Sequence, residues 1–290
     1  MTKWPKTDAN LILIFEILLM SAFILMNTSD QILQSRNIDH YIVAGSFPIS
    51  SLFVPFFDFL DVSSLIFIER FTWWFHILGI LAFLNYVLIS KHLHIFFAFP
   101  STYYANISNL GKFDNLKSVT NEVKLMLNPN ADPFAAPQNT DSSNPTLFGA
   151  KDASDLNWVQ LLNAYSCTEC GRCSSVCPAN QTGKLLSPRK VMMDTRDRIE
   201  EIGKNKNENK YLLGNYITKE ELWACTTCNA CTDACPINLD PLSIIIDLRR
   251  YLVMEESAAP SELNNMFSNV ENNGAPWQFP AADRLKWTEE

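Results

Sequence analysis

Eight cysteines constrain this chain more than any other feature. All of them lie between Cys167 and Cys235 of a 290-residue sequence, and they form two copies of one spacing. Cys167, Cys170, Cys173 and Cys177 read C-x2-C-x2-C-x3-C and are followed by Pro178. Cys225, Cys228, Cys231 and Cys235 repeat the spacing and are followed by Pro236. In a short secreted chain so many cysteines would point to disulfides, but no leader with an A-x-A-like cleavage site is visible. The spacing is instead that of the bacterial-type 4Fe–4S run. Three closely spaced thiolates bend round one corner of a cuboidal cluster, the proline turns the chain away, and the fourth thiolate reaches the other cluster. The expected metal ligands are therefore Cys167, Cys170, Cys173 and Cys235 for one cluster, and Cys225, Cys228, Cys231 and Cys177 for the other. Two structural zinc sites are the competing reading. Zinc prefers paired ligands separated by a longer stretch and has no use for a third cysteine at x2 or for the trailing proline. Ligands of this kind belong in a reducing compartment.

The first 166 residues hold no cysteine and all four histidines, His40, His76, His92 and His94. Residues 11–27 are apolar except for Glu16, and residues 71–90 carry no charge. About 20 predominantly apolar residues cross a bilayer, so spans are expected at about 10–27 and 70–92. Between them, residues 42–66 are apolar but include Pro48, Pro55, Asp58 and Asp61, which reads as a re-entrant or interfacial segment, with a third span as the alternative. Lys3 and Lys6 precede the first span and Lys91 follows the last. Counted by the positive-inside rule, both ends of the hairpin lie in the cytoplasm, at an inner membrane. Trp73 and Trp74 suit an aromatic belt.

Pro100 is expected to end the second span's helix. Residues 99–150, rich in Asn, Ser, Asp and Pro, read as a linker with one short helix around Val123–Leu127. Residues 151–257 read as a helical domain and 258–290 as a tail. Ser187-Pro188 and Asp240-Pro241 read as N-caps followed by proline at the first helical position. Thr218 with Glu221 reads as a capping box. No alternating strand pattern follows residue 150, so the expected fold class is mainly α: an N-terminal transmembrane helical hairpin plus a soluble α-helical ferredoxin domain with two 4Fe–4S clusters. The formal net charge of −8 and the lack of a basic patch interleaved with aromatics exclude a nucleic-acid partner.

His76 and His94 are 18 residues apart. On one continuous helix that is five turns, roughly 27 Å along one face at 1.5 Å per residue. Each is a candidate ligand for b-type haem, with the opposite axial ligand drawn from a facing helix of another chain. The plainer alternative makes His92 and His94 headgroup contacts and has His76 bond a backbone carbonyl. Glu16, costly in lipid, is a candidate proton carrier or a partner for a polar group on another helix.

The segments SKHLHIFFAFPSTYYANI, LNWVQLLNAYSCTECGRCSSVCPANQTGKLLSPRKVMMDTRDR and ELWACTTCNACTDACPINLDPLSIIIDLRRYLVMEESAAP resemble membrane-bound iron–sulfur oxidoreductases related to heterodisulfide reductase. Those proteins have a nitrate reductase gamma-like anchor, and the long matches are similar to homologues of the Bacteroidetes type. The resemblance implies an electron-transfer subunit between a soluble partner and the quinone pool. The alternative is a non-catalytic membrane-tethered ferredoxin serving several acceptors. Such relatives begin with about three more membrane helices, so this chain reads as lacking them. Relatives of the heterodisulfide reductase type also use cysteine-rich CCG modules. All eight cysteines here are committed to clusters, so a CCG-domain iron–sulfur or flavoprotein subunit is the implied partner.

Overall fold

The computed structural model describes residues 3–90, 92–107, 111–128, 147–204 and 209–289. Lys91 and residues 129–146 of the expected linker lie outside them. The chain divides into two compact units, Met1–Phe96 and Phe97–Glu290.

The first unit is an antiparallel helical hairpin. Helix α1 runs over Lys3–Ser35 and α2 over Val62–Val87. Both are long and apolar enough to cross a membrane. Apart from a bond between His76 and the Leu19 carbonyl, their polar contacts gather towards the two ends of the hairpin. At one end Tyr86 donates to Asp8. At the other, Thr28 Oγ1 donates to the Ser50 carbonyl at 3.1 Å, Arg36 pairs with Asp58 at 3.0 Å, and Tyr41 donates to Glu69 at 3.3 Å. Apart from Glu16, the outward faces between are apolar and exposed, as at Leu13, Ile14, Ile17, Leu78 and Leu81. That is the pattern of helices whose outer surface meets lipid or other helices rather than water.

The second helix lies earlier in the chain than the apolar run alone indicates. It starts at Val62 because the Asp61 side chain accepts the Ser64 backbone N–H at 3.2 Å. It absorbs Glu69, which is buried beside Tyr41 and pairs with Arg70 at 3.2 Å. It ends at Val87, and a turn leads to a separate helix α3, Leu93–Tyr103. Two expectations are corrected here. Pro100 sits inside α3 rather than ending a span; the lost proline N–H falls in a short helix whose last turn is closed by Tyr104 N–H to the Pro100 carbonyl at 3.0 Å. His76 and His94 do not share a helix, so the five-turn, one-face argument does not apply to them. Residues 42–61 form only short turns, Ser50–Phe53 and Val54–Phe57.

In the second unit α4 covers Lys117–Met126, starting six residues before the expected short helix. The core is built by α5 (Trp158–Ser166), α6 (Pro188–Gly203) and α8 (Pro241–Met254), packed on one another. Ala164, Val191, Met192, Ile244, Ile245, Leu248 and Leu252 are buried between them. Each of these three core helices starts where a side chain satisfies its free N–H groups. Ser187 accepts Lys190 N–H, Asp240 accepts Ser243 N–H, and Thr218 with Glu221 closes a capping box on α7, Lys219–Trp223. A further box, Asn157 with Gln160, starts α5. A last helix, α9, spans Ser261–Asn273. No strand occurs among the described residues beyond one isolated bridge, Leu213 to Ile217.

Two contacts fix the chain entering this core. Gly149 has φ +88°, and a Cβ there would lie 2.6 Å from Tyr251 N. The next residue's N–H donates to the Asp247 carbonyl at 3.0 Å, so α8 is approached closer than any side chain permits. Arg198 of α6 is fully buried and donates to Asp152 from Nε at 2.8 Å and from Nη2 at 2.7 Å. The same carboxylate accepts N–H bonds from Ala153 at 2.8 Å and Leu212 at 2.9 Å.

Candidate iron–sulfur centres

Each cysteine run is launched by a capped helix and shaped by two left-handed residues. Helix α5 ends on Cys167. The chain turns through Glu169 (φ +60°) and Gly171 (φ +82°), then enters a short helix, Arg172–Val176, that carries Cys173. In the second run α7 ends at Ala224, beside Cys225. Thr227 (φ +56°) and Asn229 (φ +61°) turn the chain into Ala230–Asp233, which carries Cys231. Left-handed residues at matching positions curl three consecutive cysteines round a common point. They also aim backbone amides inward, as in an anion-binding nest. Thr227 N–H donates to Cys225 Sγ at 3.4 Å.

The two short helices pack against each other, and this brings the fourth cysteine of each run to the other run. Cys177, Cys225, Cys228 and Cys231 line one cavity together with Leu186, Leu242 and Ile245. On the other side, Cys167 and Cys173 lie within electrostatic reach of Cys170 and Cys235. The structure thus brings Cys177 beside the second run and Cys235 beside the first. Cys177 and Cys231 are buried, whereas Cys170 and Cys228 are exposed.

These sets fit cubane clusters better than single ions. A cubane offers a separate iron to each thiolate, while one zinc draws four sulfurs to a point about 2.3 Å away. Among the described residues no three His, Cys, Asp or Glu side chains are gathered closely enough to hold a single metal ion. Burial pushes the Cys167 and Cys231 thiols up to about 12 and raises those of Cys173 and Cys225. Thiols so buried become thiolates only when a cation replaces their protons, which ties cluster binding to proton release.

Charged groups flank both sets, and spacing within the motif does not reveal them. Glu169, between two cysteines of the first run, is buried and pairs with Arg196 at 3.2 Å and Arg189 at 3.8 Å. By the second run, Arg249 of α8 donates from Nη2 to the Cys225 carbonyl at 2.6 Å and from Nε to the Leu222 carbonyl at 3.0 Å. Its guanidinium stacks 4.9 Å from the Trp223 ring centre. The available signal is positional: Arg196 and Arg249 each stand eight residues after the proline that opens their helix.

In the hairpin, the His76 Nδ1–H donates to the Leu19 carbonyl at 2.9 Å and its ring lies 5.4 Å from that of Phe23. The backbone-bonding alternative therefore describes this nitrogen. His92 and His94 are in edge-to-face contact at 5.8 Å. Glu16 is exposed on α1.

Residues 163–239 match the family model of the 4Fe-4S dicluster domain. The chain is 32% identical over 254 residues to the "Probable iron-sulfur-binding oxidoreductase FadF" of Bacillus subtilis, covering 75% of this chain and 33% of that protein. It is 29% identical over 316 residues to the "EtfAB:quinone oxidoreductase" of Syntrophomonas wolfei, covering 97% and 40%. It is 30% identical over 164 residues to the "Probable membrane-anchored ferredoxin" of Chromohalobacter salexigens, covering 48% and 24%. The chain therefore spans well under half the length of these relatives. No solved structure matches it. The resemblance to membrane-bound iron–sulfur oxidoreductases is borne out, and heterodisulfide reductase C-type subunits are also among the relatives. This is a mainly helical iron–sulfur protein, with a 4Fe-4S dicluster domain over residues 163–239 and two helices long and apolar enough to cross a membrane.

Proposed function

We propose that the chain is the membrane-bound electron-transfer subunit of an oxidoreductase complex, passing electrons through two 4Fe–4S clusters between a soluble partner and the membrane quinone pool. The observation that carries this reading is the crossed gathering of eight cysteines in a chain that also has two apolar helices long enough to span. Cys167, Cys170, Cys173 and Cys235 hold one cluster, and Cys225, Cys228, Cys231 and Cys177 the other. When bound, each cluster supplies reversible one-electron transfer without proton chemistry of its own. The chain's residues position and insulate them. Leu186, Leu242 and Ile245 keep water from the second set, and the exposed Cys170 and Cys228 present each set to a partner.

In this reading residues 1–98 anchor the protein, 99–150 link, 151–257 carry the clusters and 258–290 form a tail. The anchor lies in the inner membrane with the cluster domain in the cytoplasm. The soluble partner is a CCG-domain iron–sulfur or flavoprotein subunit; relatives named as single subunits of a heterodisulfide reductase support a partner chain. His76 and His94 are haem-b ligands only in a complex whose other helices bring facing histidines.

The name of the Chromohalobacter relative favours a second reading, a membrane-tethered ferredoxin without its own quinone chemistry. Anaerobic purification in mild detergent tests the first. About eight iron and eight labile sulfide per chain are expected, four of each per cubane, and zinc without sulfide refutes both readings. Reduced chain should then reduce a water-soluble quinone analogue catalytically, together with co-purified subunits. A cluster-loaded complex that never turns over quinone leaves the tethered ferredoxin.

A further inference from the structure

The two cysteine runs are pseudo-repeats in structure as well as sequence. Glu169 and Thr227 occupy the same place between the first two cysteines, with φ of +60° and +56°. Gly171 and Asn229 match in the same way, at +82° and +61°. A proline opens each following helix, at Pro188 and Pro241, and an arginine stands eight residues on, at Arg196 and Arg249.

The repeats differ in charge. Arg196 is paired with Glu169 at 3.2 Å, and Arg189 closes on the same carboxylate at 3.8 Å. The second repeat has Thr227 where Glu169 would be. Arg249 forms no ion pair with any carboxylate among the described residues. Its acceptors are two backbone carbonyls, those of Leu222 and of the ligand residue Cys225, at 3.0 and 2.6 Å. The residues at −4 and −7 from it, Ile245 and Leu242, line the cavity of the second set, so α8 presents one face to that cavity and its arginine to the rim. Asp240, which acts on Cys231, has its Oδ1 taken by the Ser243 N–H at 3.0 Å and by Thr232 Oγ1 at 3.4 Å.

An uncancelled positive charge next to a redox centre stabilises the state with one more electron. This follows from Coulomb attraction, which a half-buried site screens less than water does. Hydrogen bonds and net charge around a cluster are established determinants of its potential. We propose that Arg249 is a positioning residue that raises the reduction potential of the cluster held by Cys177, Cys225, Cys228 and Cys231, and that it does so by charge rather than by anchoring the loop. The inference rests on the ligand sets proposed above. Arg196 has a smaller effect at the first set, because it is paired with two carboxylates, Glu169 at 3.2 Å and Asp197 at 3.4 Å.

The test is a redox titration followed by electron paramagnetic resonance on the full chain, purified anaerobically in detergent. Signals are assigned with Cys170→Ala and Cys228→Ala. Arg249→Gln removes the charge and keeps a hydrogen-bond donor. It should lower the reduction equilibrium constant of the second-run cluster about tenfold, a fall of ~59 mV for one electron, and leave the other cluster unmoved. Arg249→Lys keeps the charge and loses the planar fork, and should stay close to the parent. Equal shifts in both variants, or none in either, overturn the proposal. Where Arg249→Gln fails to hold its cluster, Thr227→Glu supplies the missing carboxylate with Arg249 and its carbonyl bonds intact. The same tenfold fall is expected there, and an unchanged potential refutes the inference. Iron and sulfide content measured on each variant separates these outcomes from a failure of the ligand assignment, which would place the shift on the cluster lost with Cys170→Ala.

Discussion

Asp152→Asn removes half of the most deeply buried ion pair in the cluster-bearing unit. The Arg198 side chain is 1% exposed and donates to Asp152 through Nε and Nη2. Asparagine keeps the shape but removes the nearer negative charge, leaving the buried guanidinium with Glu201 at 3.7 Å as its carboxylate partner. Removing one member of a buried pair costs about 3–5 kcal/mol. The unit, Phe97–Glu290, is of a size at which 1 kcal/mol moves Tm by roughly 2–4 °C, so a fall of roughly 6–20 °C is expected. Replacing both partners with apolar residues, as Asp152→Leu with Arg198→Met, should recover only part of this loss, because the guanidinium is gone but the N–H groups of Ala153 and Leu212 lose their acceptor. The pH dependence has a defined sign. Burial alone would raise the Asp152 carboxyl, but Arg198 and the N–H groups of Ala153 and Leu212 outweigh it and hold the group below its ordinary value of 3.8. A depressed carboxyl stabilises the folded state fully above the unfolded value and loses that contribution as pH falls through the folded one. The parent should therefore lose stability below about pH 4 more steeply than Asp152→Asn. Thermal unfolding by circular dichroism, with cluster absorbance recorded in parallel, reads both effects. A Tm loss under about 2 °C, or identical acid limbs, refutes the reasoning.

Cys177→Ala should damage the cluster held by the second run and spare the adjacent one; spectroscopy showing loss of the first-run cluster alone refutes the crossed ligation. Reporter fusions after Lys6 and after Pro100 should both report the cytoplasm and one near Arg36 the outside, whereas opposite locations for the two ends would mean that residues 42–66 span. The isolated chain should purify without stoichiometric b-type haem, because no facing helix offers histidine to His76 or His94; reduced b-type bands that vanish in His76→Ala would refute this.

What was legible in the sequence is what depends on neighbours in the chain. The caps at Ser187, Thr218 and Asp240 occur as read, because an N-cap needs only a short polar side chain and free N–H groups two or three residues on. The local curl of each cysteine run is legible for the same reason, since it rests on left-handed residues within the run. The helix ends in the hairpin were not legible. The break after Val87 falls in Leu88-Ile89-Ser90, which has neither proline nor glycine, and nothing in its composition separates it from the run before it. The start at Val62 was masked by Glu69 and Arg70, which read as the end of a span. The fold places Tyr41 against Glu69 from 28 residues away, and no local pattern encodes that.

The charges around the cysteine sets fall between these cases. Arg198 and Asp152 are 46 residues apart, and each taken alone is an ordinary surface residue of a helix or a turn. Only the closed core turns them into a buried pair. Arg249 is different, because the sequence does hold a trace of it. Once the two cysteine runs are aligned on their first cysteines and their helices on Pro188 and Pro241, Arg196 and Arg249 coincide and Glu169 meets Thr227. The alignment shows that the charges differ but cannot give the consequence, which depends on what each arginine touches. In the fold, Arg196 closes on a carboxylate, while Arg249 reaches the carbonyl of a proposed ligand residue. Two cysteine runs of identical spacing therefore sit among unlike charges.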